Sequence, residues 1–271
     1  MENRTQIATL IYQRLLEEKD RLMEFYKAHD INIGFCFIDD LLPEEVVGKI
    51  NSLFPKVEET KIKKNLREFK HVAYQMDKYH PFLEEVIYAF QDQRIVSLIA
   101  DICGLKNIYP DEKLYAGGLS MMQKDNYLNP HLDNSHDKDR NRWRVLNLLY
   151  YVTPNWKIEN GGNLELWSNG VEGEPITITS QYNRLVIMAT HQNSWHSVSK
   201  VNIDAVRCCV SNYYFSSEPY RKDDRFHITS FRGRPNQKIR DIILRFDAKV
   251  RGVVRGVFKK GVRENPHQYK K

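Results

Sequence analysis

The chain has only four cysteines, Cys36, Cys103, Cys208 and Cys209, and none stands in a Cys-x-x-Cys pair. They are too few for a disulfide scaffold, and their spacing argues against a thiolate zinc site. No stretch approaches the roughly 20 apolar residues of a membrane span. The opening Met-Glu-Asn-Arg-Thr-Gln lacks the basic-then-apolar order of a secretory leader. A reducing, cytoplasmic setting is therefore the expected one. There is no internal repeat and no low-complexity segment. What remains is an ordinary globular composition over 271 residues, with 41% hydrophobic and 28% charged. That suffices for a buried core, rules out wholesale disorder, and fits one structural domain.

Charge is unevenly placed. The chain carries +6, but residues 219–271 hold 16 basic and 5 acidic side chains, a net of +11, so residues 1–218 carry −5. The basic character belongs to the C-terminal part. It suits a solvated cationic helix face, or contact with a membrane surface, nucleic acid or an acidic partner.

Hydrophobic spacing predicts a helix over 6–27, a strand over 32–39, a helix over 44–54 opened by Pro43, and one or two helices over 81–103 closed by Gly104. Residues 56–70 read as a basic, polar connection. From about 113 short apolar runs alternate with Gly, Asn, Asp and Pro. They predict strands at 113–123, 144–152, 163–167, 175–179, 183–190, 196–201 and 206–216. Residues 236–259 predict a helix striped by Ile239, Ile242, Ile243, Phe246, Val250, Val254 and Val257, followed by a loose tail. The expected organisation is a helical N-terminal region with an opening strand (1–112), a β core (113–218) and a basic C-terminal helical extension (219–271).

Three pieces carry chemistry. In Pro130-His131-Leu132-Asp133-Asn134, residues two apart in extended chain point the same way, so His131 and Asp133 can face one centre. His196, in Ser194-Trp195-His196-Ser197-Val198, opens a later short strand. Arg207 follows inside an apolar strand, where a buried guanidinium demands an anion. Each alone is a weak signal, because a lone His is more often a hydrogen-bonded core residue. Together they match the two-His, one-carboxylate set that leaves three iron positions open. A 2-oxo acid fills two, dioxygen the third, and Arg207 suits the distal carboxylate.

With those residues, the chain resembles the iron(II)- and 2-oxoglutarate-dependent oxygenases, in their prolyl-hydroxylase-like branch. The resemblance runs through His131 to Asn134, Arg144 to Val152, Asn155-Trp156, Gly161 to Trp167, Asn183 to Met188, Trp195 to Val198 and Arg207 to Phe215, roughly residues 113–216. It implies an α+β, mainly β fold: a jelly-roll, double-stranded β-helix core with helices packed on one side. It implies Fe(II) held by His131, Asp133 and His196, with 2-oxoglutarate and dioxygen as cosubstrates. It implies that Arg207 anchors 2-oxoglutarate, with the Tyr151 hydroxyl as a second contact. Strand parity puts Asn147 beside Tyr151 and Ser211 beside Arg207, so both join as pocket candidates.

The implied reaction is hydroxylation of an unactivated C–H bond, with 2-oxoglutarate decarboxylated to succinate and carbon dioxide. A retained Asp133 favours hydroxylation over halogenation. A small metabolite or amino-acid-like substrate is expected. The alternatives are a peptidyl-prolyl substrate and a catalytically silent jelly-roll binding module. Arg140, Arg142 and Arg144, with Trp143 and Trp167, either favour an anionic or ring-bearing substrate or are solvated strand-edge charges. No nucleic-acid partner is expected, and the 236–259 helix suits peripheral membrane contact.

Overall fold

The computed structural model describes residues 3–257 and residue 269. The chain opens with α1 (Arg4–Glu17) and α2 (Lys19–His29). The Asn3 side chain accepts the Gln6 N–H while the Gln6 side chain accepts the Asn3 N–H, a capping box that fixes the start of α1. The single helix expected over 6–27 is two, divided at Glu18, whose ψ of 7° departs from helical geometry. Its carboxylate is shared by Arg14 and Arg21, one from each helix. α3 (Glu44–Ser52), α4 (Pro81–Ala89) and α5 (Gln93–Ile102) follow the predicted spans. The Asp92 carboxylate caps α5 by accepting the Arg94 N–H, and Gly104, at φ +65°, closes the segment.

The strands are β1 (Phe35–Ile38), β2 (Lys61–Lys64), β3 (Glu68–Ala73), β4 (Ile108–Pro110), β5 (Gly118–Met122), β6 (Tyr127–Leu132), β7 (Trp143–Tyr151), β8 (Leu164–Leu166), β9 (Ile176–Ile178), β10 (Arg184–Ala189), β11 (His196–Val198), β12 (Arg207–Ser216) and β13 (Ser230–Phe231). They pair in the order β1-β10-β7-β12-β5-β3-β6-β11-β8-β9. β3 pairs with both β5 and β6, joining the layer β1-β10-β7-β12-β5 to the layer β6-β11-β8-β9. The antiparallel sheet curls on itself as a double-stranded β-helix, with helices against one layer and a C-terminal helix α6 (Lys238–Val257).

The alternation of strand side chains separates two interiors. Leu146, Leu148 and Tyr150 of β7, Leu185 and Ile187 of β10, and Cys208, Val210 and Tyr214 of β12 pack with the buried faces of α1 to α5. Tyr151, Val186, Met188 and Cys209 point the other way, into the curl, where they meet Leu164, Leu166 and Ile178.

Several local expectations change. Residues 56–70 hold more than a polar connection: β2 and the first half of β3 lie there. β2 has no apolar alternation because it is an edge strand guarded by lysines, stabilised only by its ladder to β3. Residues 113–117 are a turn, not strand: the Asp111 carboxylate accepts the N–H groups of Tyr115, Ala116 and Gly117. His131 lies inside a strand, β6, that is absent from the strands predicted by the sequence. Pro130 masks that strand in the sequence, because proline normally marks a strand edge. The last residues of the expected 236–259 helix, and the tail apart from Tyr269, lie outside the described residues.

One turn tests this packing. Gly161 has φ +72°, and a Cβ there would stand 1.9 Å from the Lys200 carbonyl oxygen. Gly170 has φ +79° with nothing within 4 Å of the same position. Gly161→Ala is expected to cost about 3 kcal/mol or more in urea unfolding, against about 1 kcal/mol for Gly170→Ala, where only backbone strain is added.

Candidate active site

All seven residues singled out in the sequence, His131, Asp133, Asn147, Tyr151, His196, Arg207 and Ser211, line one cavity of about 130 Å³ inside the curl. β6 and β11 bring the two histidines together, since His131 and His196 are cross-strand partners. Their ring centroids are 4.1 Å apart. Asp133, just past the end of β6, reaches both: Oδ1 is 3.8 Å from His131 Nε2, and Oδ2 is 3.8 Å from His196 Nε2.

Hydrogen bonds orient each ring. His131 Nδ1 is 3.0 Å from the Asn129 carbonyl oxygen, and His196 Nδ1 is 2.9 Å from that of Ser194. A carbonyl only accepts, so each Nδ1 carries a hydrogen and Nε2 is the nitrogen turned towards Asp133, free to serve as a ligand atom. One ligand atom from each of His131, Asp133 and His196 lies within 4.8 Å of the others, all three residues are buried, and Asp133 Oδ2 has no hydrogen-bond partner. Three convergent ligand groups, two imidazoles and one carboxylate, suit a divalent cation with open positions.

Electrostatics fit the same use. Burial, then repulsion from His196, holds His131 down to about 3. Burial raises the Asp133 carboxyl, but the Arg144 guanidinium, both imidazoles and Lys70 outweigh it and bring it to about 2. Asp133 is thus an anion and His131 a free base, the forms that bind a metal.

β7 and β12 supply the rest of the cavity. Their register sets Tyr151 opposite Cys209, Leu149 opposite Ser211 and Asn147 opposite Tyr213. Arg207 is 3% exposed, and among the described residues no carboxylate pairs with it. Its Nε, the Tyr151 hydroxyl and Asn147 Oδ1 are buried without a hydrogen-bond partner. Burial raises the Tyr151 phenol, so its hydroxyl stays a donor. A buried guanidinium and a phenol with unspent donors make a receptor for a carboxylate.

Behind His196, the Glu165 carboxylate on β8 accepts the Ser197 hydroxyl and two N–H groups of Arg234. This buried network ties β11 to the segment after β12.

Three cations stand at the mouth: Arg144, which the sequence named as a candidate for an anionic substrate, and Lys63 and Lys70, which it missed. Arg144 is buried, with Nη1 3.5 Å from Asp133 Oδ1 and its guanidinium 4.5 Å from the centre of the Tyr213 ring. Lys63 and Lys70 are cross-strand partners on β2 and β3, and both line the cavity. Burial, then Lys70, lowers Lys63 to about 8. Strand parity running on from Ser211 could have found Tyr213; the lysines sat in a segment read as a connection. Arg140 and Arg142 stack on Phe226 and Tyr109, and Trp167 is buried against Ser197.

Residues 117–215 match the 2OG-Fe(II) oxygenase superfamily. No curated protein matches the chain. A prolyl hydroxylase in complex with a hypoxia inducible factor oxygen degradation domain peptide fragment, from Trichoplax adhaerens, has a TM-score of 0.53 and 18% identity, covering 78% of this chain and 96% of its own. A prolyl 4-hydroxylase structure from Phytophthora capsici has a TM-score of 0.52 and 16% identity, covering 92% of this chain and 80% of its own. The epimerase SnoN of nogalamycin biosynthesis has a TM-score of 0.51 and 12% identity, covering 74% and 84%. At these identities the likeness is one of fold.

Two outcomes follow. In the metal-free chain, His131, held to about 3, and His191, held by burial to about 4, stay neutral where unfolded histidines charge near 6.5. The unfolded state then binds more protons, so this stability is full above pH 6.5 and is lost as pH falls towards the folded values. Urea unfolding should show a loss on the order of 1.4 kcal/mol per histidine per pH unit below that point, and His191→Gln should remove about half of it. Second, because Arg207 is a buried charge with no acid partner, Arg207→Met should leave the ligand-free chain at least as stable as wild type in the same assay, whereas most core replacements cost about 2–5 kcal/mol.

Proposed function

We propose that this chain, whose residues 117–215 match the 2OG-Fe(II) oxygenase superfamily, hydroxylates an unactivated C–H bond of a small metabolite or amino-acid-like substrate. The observation that carries the reading is the pairing of two features in one cavity: the His131, Asp133, His196 cluster, and a buried Arg207 with no acid partner. His131, Asp133 and His196 would hold Fe(II), and Arg207 with the Tyr151 hydroxyl would hold the distal carboxylate of 2-oxoglutarate. Bound there, the metal and cosubstrates supply the oxidation: 2-oxoglutarate and dioxygen become succinate and carbon dioxide, and one oxygen atom enters the substrate C–H bond.

The chain's residues bind, orient and shield. The carbonyls of Asn129 and Ser194 keep each Nε2 aimed at the centre. Arg144 keeps Asp133 ionised and fixes one of its oxygens. Leu149, Leu164, Met122 and Val198 line the same cavity and limit water around the reacting atoms. Lys63, Lys70 and Arg144 line the mouth with Glu68 and Asp133, and Glu68 is paired with Lys70 at 3.1 Å. With Asp133 committed to the metal, the mouth keeps a cationic excess, which favours a substrate bearing an acidic group. A peptidyl-prolyl substrate is the second reading, supported by the fold shared with the peptide-bound prolyl hydroxylase from Trichoplax adhaerens.

The test is anaerobic titration of the iron-loaded protein with 2-oxoglutarate, following the visible charge-transfer band of the chelate. Wild type should develop the band, and Asp133→Ala and Arg207→Ala should weaken it. A protein that binds iron but shows no band would overturn the oxygenase reading in favour of a silent binding module. A positive result leads to substrate screening by succinate release, with acidic compounds set beside their amides.

A further inference from the structure

Helix α6 presents its apolar face to solvent. Ile239, Ile242, Ile243, Phe246, Val250 and Val253 are 47–78% exposed. At 3.6 residues per turn these six fall within an arc of about 100°. An arc that wide is what a helix ordinarily turns towards a core. Here the helix is anchored on its opposite side, through Leu244, which is buried with Met122, Leu128 and Phe231.

The charges on α6 are one-sided as well. Its sequence holds six basic residues and two acids, Asp241 and Asp247. Both acids are taken: Arg232 lies 2.6 Å from Asp241, while Arg67 lies 2.6 Å and Arg251 2.9 Å from Asp247. By helical geometry Lys238, Arg245 and Lys249 run along one flank of the apolar arc, whereas on the other side Arg251 is held by Asp247 and the Thr229 carbonyl and Arg240 lies over the Tyr127 ring.

We propose that this face docks on an anionic membrane surface, with the helix lying in the plane of the headgroups, its apolar arc inserted and the basic flank of Lys238, Arg245 and Lys249 at the lipid phosphates. Two copies pairing through the same face would bring basic flanks together with no free acid on either helix to meet them. Among the described residues no helix is long and apolar enough to cross a membrane, so the contact is peripheral. The docking helix is tied to the mouth of the cavity. Arg67, in the turn between β2 and β3, pairs with Asp247, and Arg251 Nη1 donates to the Thr229 carbonyl 2.9 Å away, where Thr229 lines the mouth. Docking therefore sets substrate entry beside the lipid surface.

The test is co-flotation of the full chain with vesicles of phosphatidylcholine, alone or mixed with phosphatidylglycerol, with its mass in solution read by light scattering. Wild type should float with the mixed vesicles and bind pure phosphatidylcholine about 10-fold or more weakly, with binding falling as salt rises. Ile242→Asp with Phe246→Glu should abolish flotation. Arg245→Glu with Lys249→Glu should reduce it about 10-fold or more, given the contribution of each basic residue near an anionic surface. All four positions are solvent-facing or half-exposed, so thermal unfolding should be unchanged. Absence of flotation with mixed vesicles would overturn the proposal, as would flotation that survives Ile242→Asp with Phe246→Glu. A dimer in solution that this pair of substitutions splits would also overturn it, identifying the occupant as a second copy.

Discussion

The register between β7 and β12 is the constraint on which the rest depends. With Tyr151 opposite Cys209 and Asn147 opposite Tyr213, one face of both strands enters the cavity and the other meets the helices. Side chains alternate with a period of two, so slipping one strand by a residue would exchange its faces. Arg207 would then be pressed into the apolar layer of Leu148, Tyr150 and the helices, and Val210 would replace a polar wall of the cavity. Burial on both sides makes such a slip expensive. The same pairing thus secures the core and aims the functional groups.

That frame holds an arrangement which is poorly compensated within the protein itself. Asp133 is buried with an oxygen that lacks a hydrogen-bond partner, and Arg207 is buried without an acid. Groups of this kind cost stability wherever they only support a fold. Their placement in one cavity, opposite each other in charge and each short of a partner, is intelligible as preparation for a cation and a carboxylate from outside. Arg144 adds a further layer, since it keeps Asp133 ionised while its guanidinium lies over Tyr213.

The segment after β12 is bound into this arrangement. Arg234 holds Glu165 behind the strand of His196, and Arg232 holds the start of α6 through Asp241. A basic region that looked separate by composition therefore spends several of its arginines inside the structure. The excess that remains on α6 lies beside an apolar face, so its charge and its hydrophobicity act at one surface.

Much of the site was legible before any coordinates. His131 and Asp133 are two residues apart, and an extended backbone aims such residues alike whatever lies around them. Arg207 was legible as a cation inside an apolar strand and Tyr151 through the family resemblance; the same parity added Asn147 and Ser211, and the α3, α4 and α5 spans followed from local periodicity and caps. Other features had no local signature. β2 is a run of lysines that forms a strand only because β3 pairs with it, and β6 contains a proline that local rules place at a strand edge. Arg144 reads like its neighbours Arg140 and Arg142, yet it alone of the three approaches Asp133. The sequence by itself determined which donors are present and which face of each strand they share, because those depend on backbone geometry over a few residues. Only the tertiary structure decided which cations line the mouth and that α6 keeps its apolar face outward, because both depend on contacts between segments far apart in the chain.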